Sequence, residues 1–156
     1  MKPDISVITV NYNGLELTAA MIASLRQYVS TPIETIVVDN GSLRDEAHLL
    51  AERFPGIVAI RSERNLGFAG GNNLGLRAAR GRYLLLLNND VEVINGDWLT
   101  QMVGECSQPG VGICGAMLYY PDDTIQHAGI ITGLGGYAGH SHKYHKRGGS
   151  GYMFRL

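Results

Sequence analysis

Three polar clusters each follow an apolar run: Asn11-Tyr12-Asn13 after residues 5–10, Asp39-Asn40-Gly41-Ser42 after 35–38, and Asn88-Asn89-Asp90 after 83–87. The residue types suit a nucleotide. A carboxylate such as Asp39 accepts from a ribose hydroxyl or a base N–H, and Tyr12 on a neighbouring loop can stack on the base. An acceptor-only group suits uracil or thymine, which offer an N3–H, better than cytosine, which has none. A turn followed by a helix cap accounts for the same four residues without any ligand. Asp90 poses a sharper question, because a carboxylate at the lip of a core needs a partner. That partner is a helix N-terminus, a basic side chain or a divalent cation. Magnesium takes one or two protein carboxylates and fills its shell with phosphate oxygens and water.

Between these clusters lies "NLGFAGGNN", residues 65–73. It is not GxGxxG and follows the third strand, so it is a weak dinucleotide signature. A glycine turn opening a helix still offers backbone N–H groups to a phosphate, which makes Asn65 and Gly67 candidates. Tight packing of the turn is the competing account. No GxxxxGK[ST] occurs, which removes the phosphate-binding NTPases. Farther on stand His127, His140, His142 and His145 with Lys143, Lys146 and Arg147. An HxH pair can ligate a transition metal, cations can meet phosphate, and a solvated loop explains the composition equally well. Cys106 and Cys114, the two cysteines present, form no CxxC and read as core thiols of a reducing compartment.

The elements that must position these groups alternate. Strands are expected over residues 5–10, 35–38, 57–60, 83–87 and 111–118. Helices are expected from the Asn13/Glu16 capping box to about 28, from Ser42/Asp45 to 53, over 72–79 and over 98–106. The leucines at 84–87 read as a strand buried on both faces. The pattern predicts an α/β fold, a mostly parallel sheet with helices on both faces and ligands at the carboxyl ends of its strands. Residues 133–151, rich in Gly and His, are expected to be a mobile loop. At 156 residues the chain suits one domain. A net charge of −1 gives no electrostatic footprint for nucleic acid. No signal-peptide pattern and no apolar run of membrane-spanning length occur.

The stretches "VITVNYNG", "IVVDNGS", "NLGFAGGNNLGLRAARGRYLLLLNND" and "PDDTIQHAG" together resemble glycosyltransferase family 2, on its bacterial rhamnosyltransferase-like side. The resemblance implies a GT-A fold, Rossmann-like, that binds a nucleotide-diphospho-sugar with Mg2+ or Mn2+ at an Asp-x-Asp motif. It implies that Val10, Tyr12 and Asp39 meet the base or ribose and that Asn72 and Asn73 lie beside the pyrophosphate. Asn88-Asn89-Asp90 then takes the place of Asp-x-Asp, with Asp90 the metal ligand and Asn88 a neutral second one. The family's acidic catalytic base is absent from the expected motif, so the chain reads as the N-terminal donor-binding part, with the base and acceptor region beyond Leu156. The expected activity is inverting transfer of a sugar from a UDP- or dTDP-sugar to a hydroxyl of a cell-surface polysaccharide or lipid-linked oligosaccharide. The expected location is the cytoplasm, at the inner face of the membrane. A non-catalytic nucleotide-sugar-binding module and a nucleotidyltransferase are the rival readings.

Overall fold

The structure is a computed structural model and describes residues 4–133 and 136–149. Strands β1 (Ile5–Asn11), β2 (Ile33–Asp39), β3 (Val58–Arg61) and β4 (Tyr83–Leu86) form a parallel sheet in the order β3-β2-β1-β4. Helices α1 (Leu15–Tyr28), α2 (Glu46–Arg53) and α3 (Gly67–Ala78) make the crossovers. The α/β architecture is therefore as expected.

Its core is the middle of the sheet. Val7, Ile8, Ile36, Val37 and Val38 are fully enclosed, as β-branched runs covered on both faces should be. The two faces are separable from contacts. A Cβ added at Gly75 would meet Ile8 and Val38, so α3 lies close against that face. Asn11 on the opposite face bonds Thr18 of α1 and Glu46 of α2. The order β3-β2-β1-β4 reverses direction between β1 and β4, and the carboxyl ends at such a switch point are where α/β sheets hold ligands.

Several expectations need correction. β4 is an edge strand, and Leu84 and Leu86 are 55% and 49% exposed instead of buried. The helix α1 has no capping box: Gly14 is its N-cap without a side-chain bond, and Glu16 pairs with Arg53. Asn13, at φ 50, turns its side chain to the Leu43 N–H. For α2 the cap is Asp45, which accepts from the His48 N–H, while Ser42 stays in the preceding loop. The helix α3 begins at Gly67, five residues before the expected start at Asn72.

The chain divides into two compact units, the second beginning at Trp98. There α4 (Trp98–Cys106) has the expected bounds. The strand expected over 111–118 is reduced to β5 (Leu118–Tyr119), antiparallel to β6 (Ile125–His127). Gly112 and Gly115 interrupt the run, and glycine weakens strand interiors. A hairpin joins β7 (Ile130–Thr132) to β8 (Ala138–His140). β8 thus falls inside the segment expected to be a loop, of which residues 134, 135, 150 and 151 lie outside the described residues. Among the described residues no helix is long and apolar enough to cross a membrane.

Candidate active site

The loops after β1, β2, β3 and β4 all emerge at the carboxyl edge, and side-chain amides and carboxylates tie them together. Asp39, the last residue of β2, is fully enclosed. Its Oδ1 accepts from the Ser42 N–H at 3.0 Å, and its Oδ2 from the Glu46 and Ala47 N–H groups at 3.1 and 3.3 Å. Arg61, ending β3, adds a charged bond to Oδ2 at 3.2 Å. Asp39 therefore anchors the N-terminus of α2, where the helix dipole favours an anion.

Asn11 repeats the pattern one strand over. Its Nδ2 donates to Glu46 Oε2 at 2.8 Å, and its Oδ1 accepts from Thr18 Oγ1 at 2.8 Å. Glu46 Oε2 also receives the Gly14 N–H at 3.0 Å. Thr18 Oγ1 in turn accepts from Asn89 Nδ2 at 3.0 Å. A chain of hydrogen bonds thus runs from the turn after β4, through α1 and Asn11, to the start of α2. Asn40 and Ser42 belong to the cluster read from the sequence, whereas Glu46, Thr18 and Arg61 were missed as site-building residues. Their signal was modest: Thr18 and Glu46 each stand seven positions after Asn11 and Asp39, polar groups where an amphipathic helix turns inward.

Asn40 stitches the glycine-rich turn to β2. Its Oδ1 accepts the Leu66 N–H at 2.9 Å, and its Nδ2 donates to Asn65 Oδ1 and the Gly67 carbonyl. Asn65 Oδ1 also takes the Gly67 N–H at 2.8 Å. Two of the backbone donors at this helix start are therefore used within the protein. Gly41, at φ 84, lies against this turn, and a Cβ there would fall 2.6 Å from the Arg64 carbonyl carbon. Val10 packs beneath Gly71 of α3. Asn72 is buried and bonds the Phe68 carbonyl, whereas Asn73 faces solvent. Tyr12, 53% exposed, and Phe68 stand open at the same edge.

Asn88 and Asp90 are exposed, with Asn89 half-buried between them. Among the described residues no N–H or O–H group bonds the Asp90 carboxylate, so the cap reading has no geometry behind it. Asp90 offers an anionic oxygen, and Asn88 a neutral one. This is a donor set for a hard cation that keeps most of its shell for phosphate and water. No group of three or more His, Cys, Asp or Glu residues among the described residues could hold a metal unaided.

The histidines do not assemble as an HxH chelate. His140 Nδ1 lies 2.9 Å from His127 Nδ1, and His142 meets the His145 ring edge-on at 5.5 Å. Arg147 pairs with Asp123 at 3.2 Å. The two cysteines are half-buried and touch each other, so they are not core thiols.

The chain is 39% identical over 159 residues, 99% of its length, to the uncharacterized protein y4gI of Sinorhizobium fredii. It is 34% identical over 141 residues, 88% of its length, to the O-antigen biosynthesis protein RfbC of Myxococcus xanthus. It spans only 18% and 11% of those two relatives' own lengths. The fold matches a mannosyltransferase, PcManGT from Pyrobaculum calidifontis, solved in complex with GDP-Man and Mn2+. That match has a TM-score of 0.63 at 23% identity, over 79% of this chain and 37% of that one. The architecture is thus that of the GT-A glycosyltransferases. Residues 6–149 fit the family described as Glycosyl transferase family 2, and the chain belongs to that family.

Proposed function

We propose that the carboxyl edge of the sheet binds a UDP- or dTDP-sugar and serves transfer of its hexosyl group to an acceptor hydroxyl. The acceptor is a cell-surface polysaccharide or a lipid-linked oligosaccharide, and the reaction runs in the cytoplasm at the inner face of the membrane. One observation carries the reading: Asp90 is exposed, with no partner among the described residues, at the point where the sheet order reverses, beside an Asn89 anchored to the end of β1 through Thr18.

In this reading Tyr12 stacks on the base, and Val10 and Asp39 bound the same subsite. Asp39 does so mainly by fixing the loop 40–45 and the start of α2, since its oxygens are already engaged. Asn65, Gly67, Asn72, Asn73, Asn88 and Asn89 border the diphosphate, Asn73 and Asn88 with their side chains open to it. Asp90, with Asn88 as a neutral second donor, holds Mg2+ or Mn2+. When bound, the ion supplies positive charge opposite the departing diphosphate. Inversion by direct displacement requires a general base for the acceptor's proton, and none of the residues at this edge is assigned that role.

Titration calorimetry with UDP, dTDP, GDP and CTP, with and without Mn2+, tests the reading. UDP or dTDP should bind best, and Mn2+ should strengthen binding. In Asp90→Ala at least about tenfold of that metal-dependent gain, ~1.4 kcal/mol, should vanish while the fold is kept. Equal metal dependence in the variant would reduce Asp90 to an ordinary surface residue. Failure of all four nucleotides to bind would remove the donor-site reading itself.

A further inference from the structure

Cys106 closes α4, and Cys114 stands eight positions on, in the connector that leads to β5. Their Sγ atoms lie 2.8 Å apart. A disulfide needs ~2.05 Å, so bond formation asks the two sulfurs for a sub-ångström approach. Both side chains are half-buried, open enough for a small reagent. A structural zinc site is not an alternative, since no third donor joins them among the described residues. The connector is held to the helix end by the Ser107 and Gln108 N–H groups on the Val103 and Glu105 carbonyls, the Ser107 hydroxyl on the Gly104 carbonyl at 2.8 Å, and the Cys114 thiol on the Met102 carbonyl at 3.3 Å. It contains Gly110 at φ 84, and its Ile113 is 91% exposed.

We propose that Cys106 and Cys114 form a reversible dithiol–disulfide couple that clips this connector to the end of α4, with a low-molecular-weight disulfide as oxidant. The roles of the two sulfurs differ. The neighbouring Cys106 sulfur, with burial, pushes the Cys114 thiol up to about 11. The first attack is assigned to the Cys106 sulfur, as its thiolate. That thiolate attacks one sulfur of R–S–S–R, forming Cys106–S–S–R and releasing one thiolate R–S⁻. The Cys114 thiolate then attacks Cys106 Sγ and expels the second R–S⁻. The two protons from the cysteines end on the two released thiolates. The net change is two protein thiols oxidised to one disulfide and R–S–S–R reduced to two R–SH.

The test is equilibration of the folded chain in mixtures of reduced and oxidised glutathione, quenched by alkylation and read by intact mass. These are the chain's two cysteines, so a monomer lighter by two hydrogens with no alkylation can only carry the Cys106–Cys114 bond. Alkylatable thiols should fall from two to none and return on adding dithiothreitol. Ring closure should be favoured at least tenfold more in the folded chain than in the same chain in urea. Cys114→Ser should stop at the mixed disulfide on Cys106, and Cys106→Ser at a mixed disulfide on Cys114, neither variant closing an internal bond. Covalent dimers or doubly mixed disulfides in place of the internal bond would overturn the proposal. So would a closure equilibrium no better than in urea.

Discussion

At the scale of single residues, three carboxylates share a composition and differ in task because of what surrounds them. Asp39 spends its oxygens on three backbone N–H groups and Arg61, and so builds a loop. Asp90 spends none among the described residues, and in the proposed function it serves the metal. Glu34 sits at the opposite, amino edge of the sheet, buried beside Ser6. Burial alone would raise its pKa. The Ser6 hydroxyl, the Arg80 N–H and the Arg80 guanidinium outweigh that and hold the carboxyl below its ordinary value. A folded pKa below the unfolded one means that the unfolded chain binds more protons. The contribution is then complete above the unfolded value of about 4.3 and is lost as pH falls through the folded one. Glu34→Gln should cost about 1–2 kcal/mol at neutral pH, the worth of hydrogen bonds to a charged group. Urea midpoints of the two proteins should converge as pH drops below about 4. A gap that stays constant across that range would mean the charge of Glu34 contributes nothing.

At the scale of elements, glycine has opposite meanings in two helices. Gly75 of α3 lies so near the sheet that a Cβ would fall 2.5 Å from Ile8 Cγ2 and 3.1 Å from Val38 Cγ2. Alanine there gains about 1 kcal/mol of helix propensity but overpacks a dense core, at about 1–3 kcal/mol. Gly75→Ala should therefore lower the melting temperature. Gly104 of α4 has nothing within 4 Å of its missing Cβ, so Gly104→Ala should be neutral or stabilise by up to ~1 kcal/mol. Thermal melts of both variants decide it, and an increase for Gly75→Ala would mean that α3 can lift away at no cost. The same helices mark what the sequence made legible. The alternation of strands and helices was readable because buried parallel strands are continuous runs of Val, Ile and Leu. The start of α3 was not, because Gly67, Gly70 and Gly71 read as a loop when close approach to Val10 is what requires Gly71. The capping box at Asn13 failed because its side chain found the Leu43 N–H across the sheet edge, a partner thirty residues away. Of the site, the clusters after β1, β2 and β4 were readable as polar groups at strand ends. Thr18 and Glu46, which couple them, were hidden in helical sequence. The leucines of β4 misled because composition does not reveal whether a strand is central or at an edge.

At the scale of the whole chain, the division after Asp97 separates two kinds of structure. The first unit holds the entire parallel sheet, the enclosed Val and Ile core and every residue assigned here to nucleotide or metal. The second holds α4, two small antiparallel pairs and the cysteine couple. The hydrogen bonds that shape the candidate site run from Asn89 through Thr18 and Asn11 to Glu46, and from Asp39 to Arg61, all within the first unit. Val93 is buried with its N–H on Ser24 Oγ, so the segment after Asp90 is fastened before the division is reached. Nucleotide affinity should then depend on the first unit alone. A chain ending at Asp97 should bind UDP or dTDP in Mn2+ within about tenfold of the full chain, a difference of ~1.4 kcal/mol. It should also lose that affinity on Asp90→Ala as the full chain does. Calorimetry on the shortened chain, with its fold checked by circular dichroism and a cooperative melt, makes the comparison. A folded short chain that binds a hundredfold more weakly would show that residues after Asp97 contribute directly to the nucleotide site.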